Sequence, residues 1–153
     1  RRANLLKCKP NPGHYAVAEL EKTGKRVVVV TQNVDGLHKE AGSSDVIELH
    51  GNISEFYCFD RHHPASNIEF GLQEPPLCHC GSLIRPAVVW FNEALPEDAL
   101  RRAEQEIESA SVLFVVGTSS LVYPAAALPM LAYRKQIPIV GMNPEATPLS
   151  EIA

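Results

Sequence analysis

Three short apolar runs constrain this chain most: Val27 to Val30, Val112 to Val116 and Ile137 to Met142. Each is rich in β-branched residues and too short for a helix, so each reads as a strand covered on both faces. Helical patterns lie between them. Pro12 opens one helix, whose apolar face is Ala16, Val17 and Leu20 and which Gly24 stops. Asp35 to Ala41 reads as a short helix ended by Gly42. Pro96 opens another, with Ala99, Leu100, Ala103 and Ile107 inward. Pro124 to Tyr133 reads as a helix interrupted by Pro129. Strands alternating with helices predict an α/β fold built on a doubly wound parallel sheet. A length of 153 residues suits one domain.

Charge and cysteine usage narrow the function. The formal charge is −4 and no basic face is visible, which argues against a nucleic-acid partner. No apolar stretch approaches the roughly 18 residues of a membrane span. Cys58 to Ile84 has neither helical nor strand period and is poor in apolar residues, so it needs something besides a hydrophobic core. Cys78 and Cys80 are too close for an ordinary disulfide framework and point to a reducing intracellular compartment. Paired Cys-x-x-Cys knuckles would be a strong zinc signal. Here the first has Arg61 in place of its second cysteine, and the second is one residue short. His62 stands four residues after Cys58, so Cys58, His62, Cys78 and Cys80 form a feasible tetrahedral zinc set. The alternative is a set of free thiols packed as small apolar groups.

Polar strings follow the strands, at the edge where open α/β folds hold ligands. Gln32, Asn33 and Asp35 follow the first, in TQNVDGLH. Gln and Asn suit ribose hydroxyls and a carboxamide; Asp-Gly and Gln-Asn also serve as turn and cap chemistry. His50, in LHGN, is placed either as a general base on a sugar hydroxyl or as a structural histidine. Gly117, Thr118 and Ser119, in GTSSLVYP, let backbone and hydroxyls approach a phosphate, or simply pack a tight loop. Asn143 ends the third strand, where it either meets a ribose or makes a turn with Pro144.

Taken together, Gly13-His14, TQNVDGLH, LHGN, RPAVVWFNE (Arg85 to Glu93) and VVGTSSLVYPAA (Val115 to Ala126) resemble the sirtuins, the NAD-dependent protein lysine deacylases. The resemblance runs from Arg1 to about Pro148. It implies a Rossmann-like NAD-binding part at 1–54 and 86–153, with a small zinc module inserted at 55–85. It gives Gln32 and Asn33 the nicotinamide ribose region, Asp35 the carboxamide and His50 the role of base. Gly117, Thr118, Ser119 and Asn143 would contact the rest of NAD. Val89, Trp90 and Phe91 would wall an acyl-lysine tunnel, and Val122 and Tyr123 would pair with the substrate peptide as an added strand.

The implied reaction starts with attack of the acyl-lysine amide oxygen on the anomeric carbon, expelling nicotinamide. His50 then deprotonates the ribose hydroxyls, and the products are lysine, nicotinamide and O-acyl-ADP-ribose. The spacing from Arg1 to Gly13-His14 resembles the class that removes succinyl, malonyl or glutaryl groups, with Arg1 reading the acyl carboxylate. A plain deacetylase, a silent acyl-peptide-binding zinc module and a mono-ADP-ribosyltransferase are the alternatives. Two departures stand out. The family's Gly-Ala-Gly-x-Ser loop and last strand lie outside this sequence, so it reads as part of a longer enzyme and is expected to turn over weakly alone. Asn92 stands where the family usually has Gly.

Overall fold

The structure is a computed structural model that describes residues 5, 7–66, 68, 75–119 and 121–153. The chain forms two compact units, 1–93 and 94–153. No helix among the described residues is long and apolar enough to cross a membrane.

In the first unit, α1 spans Pro12–Glu21. Asn11 caps it: its Oδ1 accepts from the His14 N–H at 3.1 Å, while His14 Nδ1 meets the Asn11 N–H at 3.2 Å. Pro12 sits in the first turn, where its missing N–H costs nothing. Ala18 is the helix's buried residue and Leu20 is exposed, so the inner face lies one position away from the expected one. Strand β1 (Val29–Thr31) pairs in parallel with β2 (Val46–Glu48), with Val29 opposite Val46 and Thr31 opposite Glu48. The crossover between them carries α2, Leu37–Glu40, which buries Leu37.

Strands β3 (Gly51–Cys58) and β4 (Ile84–Val88) pair antiparallel, with a register shift between Asn52 and Phe56. Pro86, which has no N–H to donate, sits opposite Phe56 at that irregularity. Between these strands the described residues have little regular structure. A small cluster of Phe56, Cys58, Cys78 and Ile84, with Ala65 and Ile68 against it, forms the core of this segment.

The second unit contains α3 (Glu97–Glu108), β5 (Leu113–Val116), a 3-10 turn at Ala125–Ala127, α4 (Leu128–Arg134), β6 (Ile139–Met142) and a final 3-10 turn at Pro148–Glu151. Ala103 and Ile107 of α3 are buried as their spacing predicts. Pro129 does not interrupt a helix. It lies in the first turn of α4, because that is where a residue without an N–H and with fixed φ fits. β5 and β6 are parallel, with Val116 opposite Met142. Among the described residues the expected parallel pairing is present as two separate parallel pairs, with a third, antiparallel pair in the first unit.

Candidate functional site

The register of β1 and β2 brings two polar loops together. The ladder continues one step past the strands, where the Leu49 N–H donates to the Thr31 carbonyl at 3.0 Å. Gln32 and His50 come next, and His50 Nδ1 lies 2.8 Å from the Gln32 carbonyl oxygen. A carbonyl only accepts, so Nδ1 carries a proton and, in the neutral ring, Nε2 holds the lone pair. The His50 imidazole is thereby fixed in the tautomer of a base. Its own carbonyl accepts from the Val89 N–H at 2.9 Å, which ties this loop to the residues that follow β4.

Gly51 makes that close approach possible. It has φ +77°, and a Cβ built there would lie 2.0 Å from the Ala87 carbonyl oxygen. Asn52 bonds more than backbone: Oδ1 accepts from the Ser54 N–H at 2.9 Å and Nδ2 donates to Glu48 at 2.8 Å. Lys39 pairs with the other Glu48 oxygen at 2.5 Å. The His50–Asn52 loop therefore rests on a network anchored in β2 and α2. Asp35 accepts from the Leu37 N–H at 3.0 Å, which is the capping role its position allows. Asn33 is exposed, and its N–H donates to Thr31 Oγ1 at 3.1 Å.

The loop after β4 is held by a pair that sequence reading missed. Arg85 donates to both Glu93 oxygens, at 2.6 and 2.9 Å, and the Trp90 N–H donates to Glu93 at 2.9 Å. The guanidinium also lies 3.8 Å from the Trp90 ring centroid. Its hydrogen bond to Glu93 raises the Arg85 pKa. The same bond, with that from Trp90, holds the Glu93 carboxyl at about 2. Between the paired residues, Val89 is half-buried while Trp90 and Phe91 are exposed. Asn92 has φ +69°, a left-handed conformation that asparagine tolerates better than most residues and that explains glycine as its usual counterpart.

In the second unit the parallel register again pairs two loops. The Gly117 N–H donates to the Met142 carbonyl at 3.0 Å, and Asn143 Nδ2 donates to the Thr118 carbonyl at 2.8 Å. Gly117 has φ +63° with open space where a Cβ would stand, so its backbone is accessible. Ser119, Val122 and Tyr123 are exposed. Arg1 lies outside the described residues.

Cys58, His63, Cys78 and Cys80 bring their ligand atoms within 4.8 Å of one another. The Cys58 and Cys80 sulfurs are 3.5 Å apart, as are Cys78 Sγ and His63 Nε2. Zn–S bonds of about 2.3 Å and Zn–N bonds of about 2.0–2.1 Å in a tetrahedron require edges of roughly 3.5–3.8 Å, which these two pairs meet, and three thiols with one imidazole are a zinc donor set.

The histidine is His63 and not His62. A turn closes from Cys58, with the His62 N–H donating to the Cys58 carbonyl at 2.9 Å and the Cys58 N–H to the His63 carbonyl at 3.0 Å. His62, at φ +54°, then lies on the Tyr57 side of the strand, its ring stacked 5.7 Å from Tyr57. His63 falls on the Cys58 side. The antiparallel bridge of Tyr57 with Pro64 sets His63 opposite Cys58, whereas strand alternation alone would put His62 on that face, so the sequence held no local signal for it.

The thiols are unequal. Burial pushes Cys58 up, but hydrogen bonds from the Arg61 N–H, Cys80, Ser82 and the Asp60 N–H outweigh it and bring it to about 7. For Cys78 the Cys80 N–H pulls down, yet burial and the neighbouring Cys80 and Cys58 sulfurs leave it raised.

Two parallel strand pairs that end in polar loops, together with a Cys3His cluster, define a Rossmann-like protein with a metal module. Comparison with known proteins gives the family: the Sir2 family pattern matches residues 1–124, and the chain belongs to that family. An NAD-dependent protein deacylase of Aquifex aeolicus is 46% identical over 155 residues; the match covers 100% of this chain and 65% of that protein. A Sir2 homolog–NAD complex is 44% identical with a TM-score of 0.92, covering 97% of this chain and 59% of the other. A Sir2 bound to acetylated peptide is 43% identical with a TM-score of 0.90, covering 98% and 65%. The chain thus spans somewhat less than two thirds of the length of these relatives.

Proposed function

We propose that this chain carries the catalytic base and part of the NAD site of an NAD-dependent protein-lysine deacylase. The observation that carries the reading is the His50 Nδ1–H bond to the Gln32 carbonyl, which leaves Nε2 able to take a proton beside the Gln32–Asp35 loop. In this reading His50 deprotonates a ribose hydroxyl, and Gln32, Asn33 and Asp35 bind the nicotinamide end of NAD. Gly117, Thr118 and Ser119 meet its phosphate and ribose, with Asn143 beside the adenosine ribose and already bonding Thr118. Val89, Trp90 and Phe91 wall the acyl-lysine, and Val122 and Tyr123 offer backbone to the peptide. Residues 55–85 are the zinc module inserted between 1–54 and 86–153.

The acyl group is the finer question. Resemblance through Arg1 supports succinyl, malonyl or glutaryl. The bound acetylated peptide of a 43% identical relative favours a deacetylase as the second reading. A panel of succinyl-, malonyl-, glutaryl- and acetyl-lysine peptides, assayed with NAD and the full-length parent, separates them. The acidic-acyl reading expects succinyl turnover to fall at least tenfold in Arg1→Met while acetyl turnover holds. Unchanged succinyl turnover overturns it.

A further inference from the structure

The metal centre has a neighbour that no ligand count includes. His79 stands between two of the ligating cysteines, and its ring stacks on that of His63 with centroids 5.1 Å apart and planes 19° from parallel. Its Nδ1 lies 3.5 Å from Cys78 Sγ. His63 Nδ1 meets the Pro64 carbonyl at 3.1 Å; since that oxygen only accepts, the ring's Nε2 lone pair faces the thiols. His63 follows the left-handed His62 and its ring lies flat against that of His79, so the stack helps to set its ring plane.

We infer that His79 is a positioning residue of this centre. Its ring braces the His63 imidazole, and its Nδ1–H bonds the Cys78 thiolate. A thiolate that accepts an N–H spreads its charge, which eases crowding of three anionic sulfurs around one cation. Stacking keeps the fourth donor aimed without a cysteine backbone to hold it. The inference rests on the cluster holding zinc, and the native protein tests that separately.

The experiment titrates the full chain with zinc against a chromophoric chelator and records Co(II) spectra of the same proteins. Native protein should take one equivalent of either metal. His79→Ala should bind zinc roughly tenfold or more weakly, the range outer partners of metal ligands produce. His79→Phe keeps a stacking face and should lose less. Both variants should keep the native cobalt band positions, because three sulfurs and one nitrogen remain. In a His63→Cys background, with the braced ring gone, His79→Ala should cost less than it does alone.

Zinc affinity unchanged in His79→Ala overturns the inference. So does a cobalt spectrum that shifts in His79→Ala but not in His63→Ala, which would make His79 the ligand. Native protein that binds no zinc overturns the metal reading itself, and this inference with it.

Discussion

At the level of single residues, the site depends on atoms that cannot be exchanged for near equivalents. Gly51 is one. Any side chain there meets the Ala87 carbonyl, and φ +77° disfavours it further. Gly51→Ala should destabilise the protein by roughly 1–2 kcal/mol from the left-handed backbone and about 1–3 kcal/mol more from the overlap. Denaturant midpoints measure this, and a loss below 1 kcal/mol would mean the β3–β4 approach is looser than described. Glu93 gives a pH signature. Its folded pKa of about 2 lies below the ordinary value of 4.5, so the unfolded chain holds the proton more tightly. The stabilisation is complete above 4.5 and is lost as pH falls from there towards 2. Glu93→Gln should flatten this part of the stability curve, read from denaturant midpoints across the acid range. An unchanged slope would show that the Arg85 pair does not contribute.

Elements show what a sequence discloses and what it withholds. Strands β1, β5 and β6 were legible because they are apolar on successive residues and end in polar strings, whereas β2, Val-Ile-Glu, lies outside those apolar runs. The registers of the two parallel pairs place His50 beside Gln32 and Asn143 beside Thr118. Ends were harder to read. Val27 and Val112 read as strand residues, but the ladders begin at Val29 and Leu113, since pairing depends on a partner the run itself does not reveal. Spacing alone points to His62, but pairing of Cys58 with His63 across the turn decides which ring faces the thiols. Arg85 and Glu93 stand at the two ends of one motif, and nothing local tells that the strand and the following turn bring them back together. The segment between β3 and β4 yields its own prediction. Among the described residues its core is four buried side chains, two of them cysteines, so its order should depend on metal. Chelation should remove hydrogen-exchange protection around Phe56, Cys58, Cys78 and Ile84 while β1 and β2 stay protected. His63→Ala should do the same and His62→Ala should not. Equal protection with and without metal would count against a structural zinc.

On the scale of the whole molecule, the chain is a family member that spans 65% of its Aquifex aeolicus relative. Phe114, Val116, Val140 and Met142 expose one face of the β5–β6 pair, whereas Leu113, Val115 and Ile139 are partly covered. Chemistry should therefore be measured on the parent protein. The most direct measurement compares native parent with His50→Asn, following nicotinamide release and O-acyl-ADP-ribose formation from NAD and an acyl-lysine peptide. A base that acts after nicotinamide leaves predicts that product formation falls about 10²–10⁴-fold, the scale of a lost proton acceptor, while peptide-dependent nicotinamide release falls much less. Product formation that persists near the native rate in His50→Asn would contradict the role assigned to this imidazole.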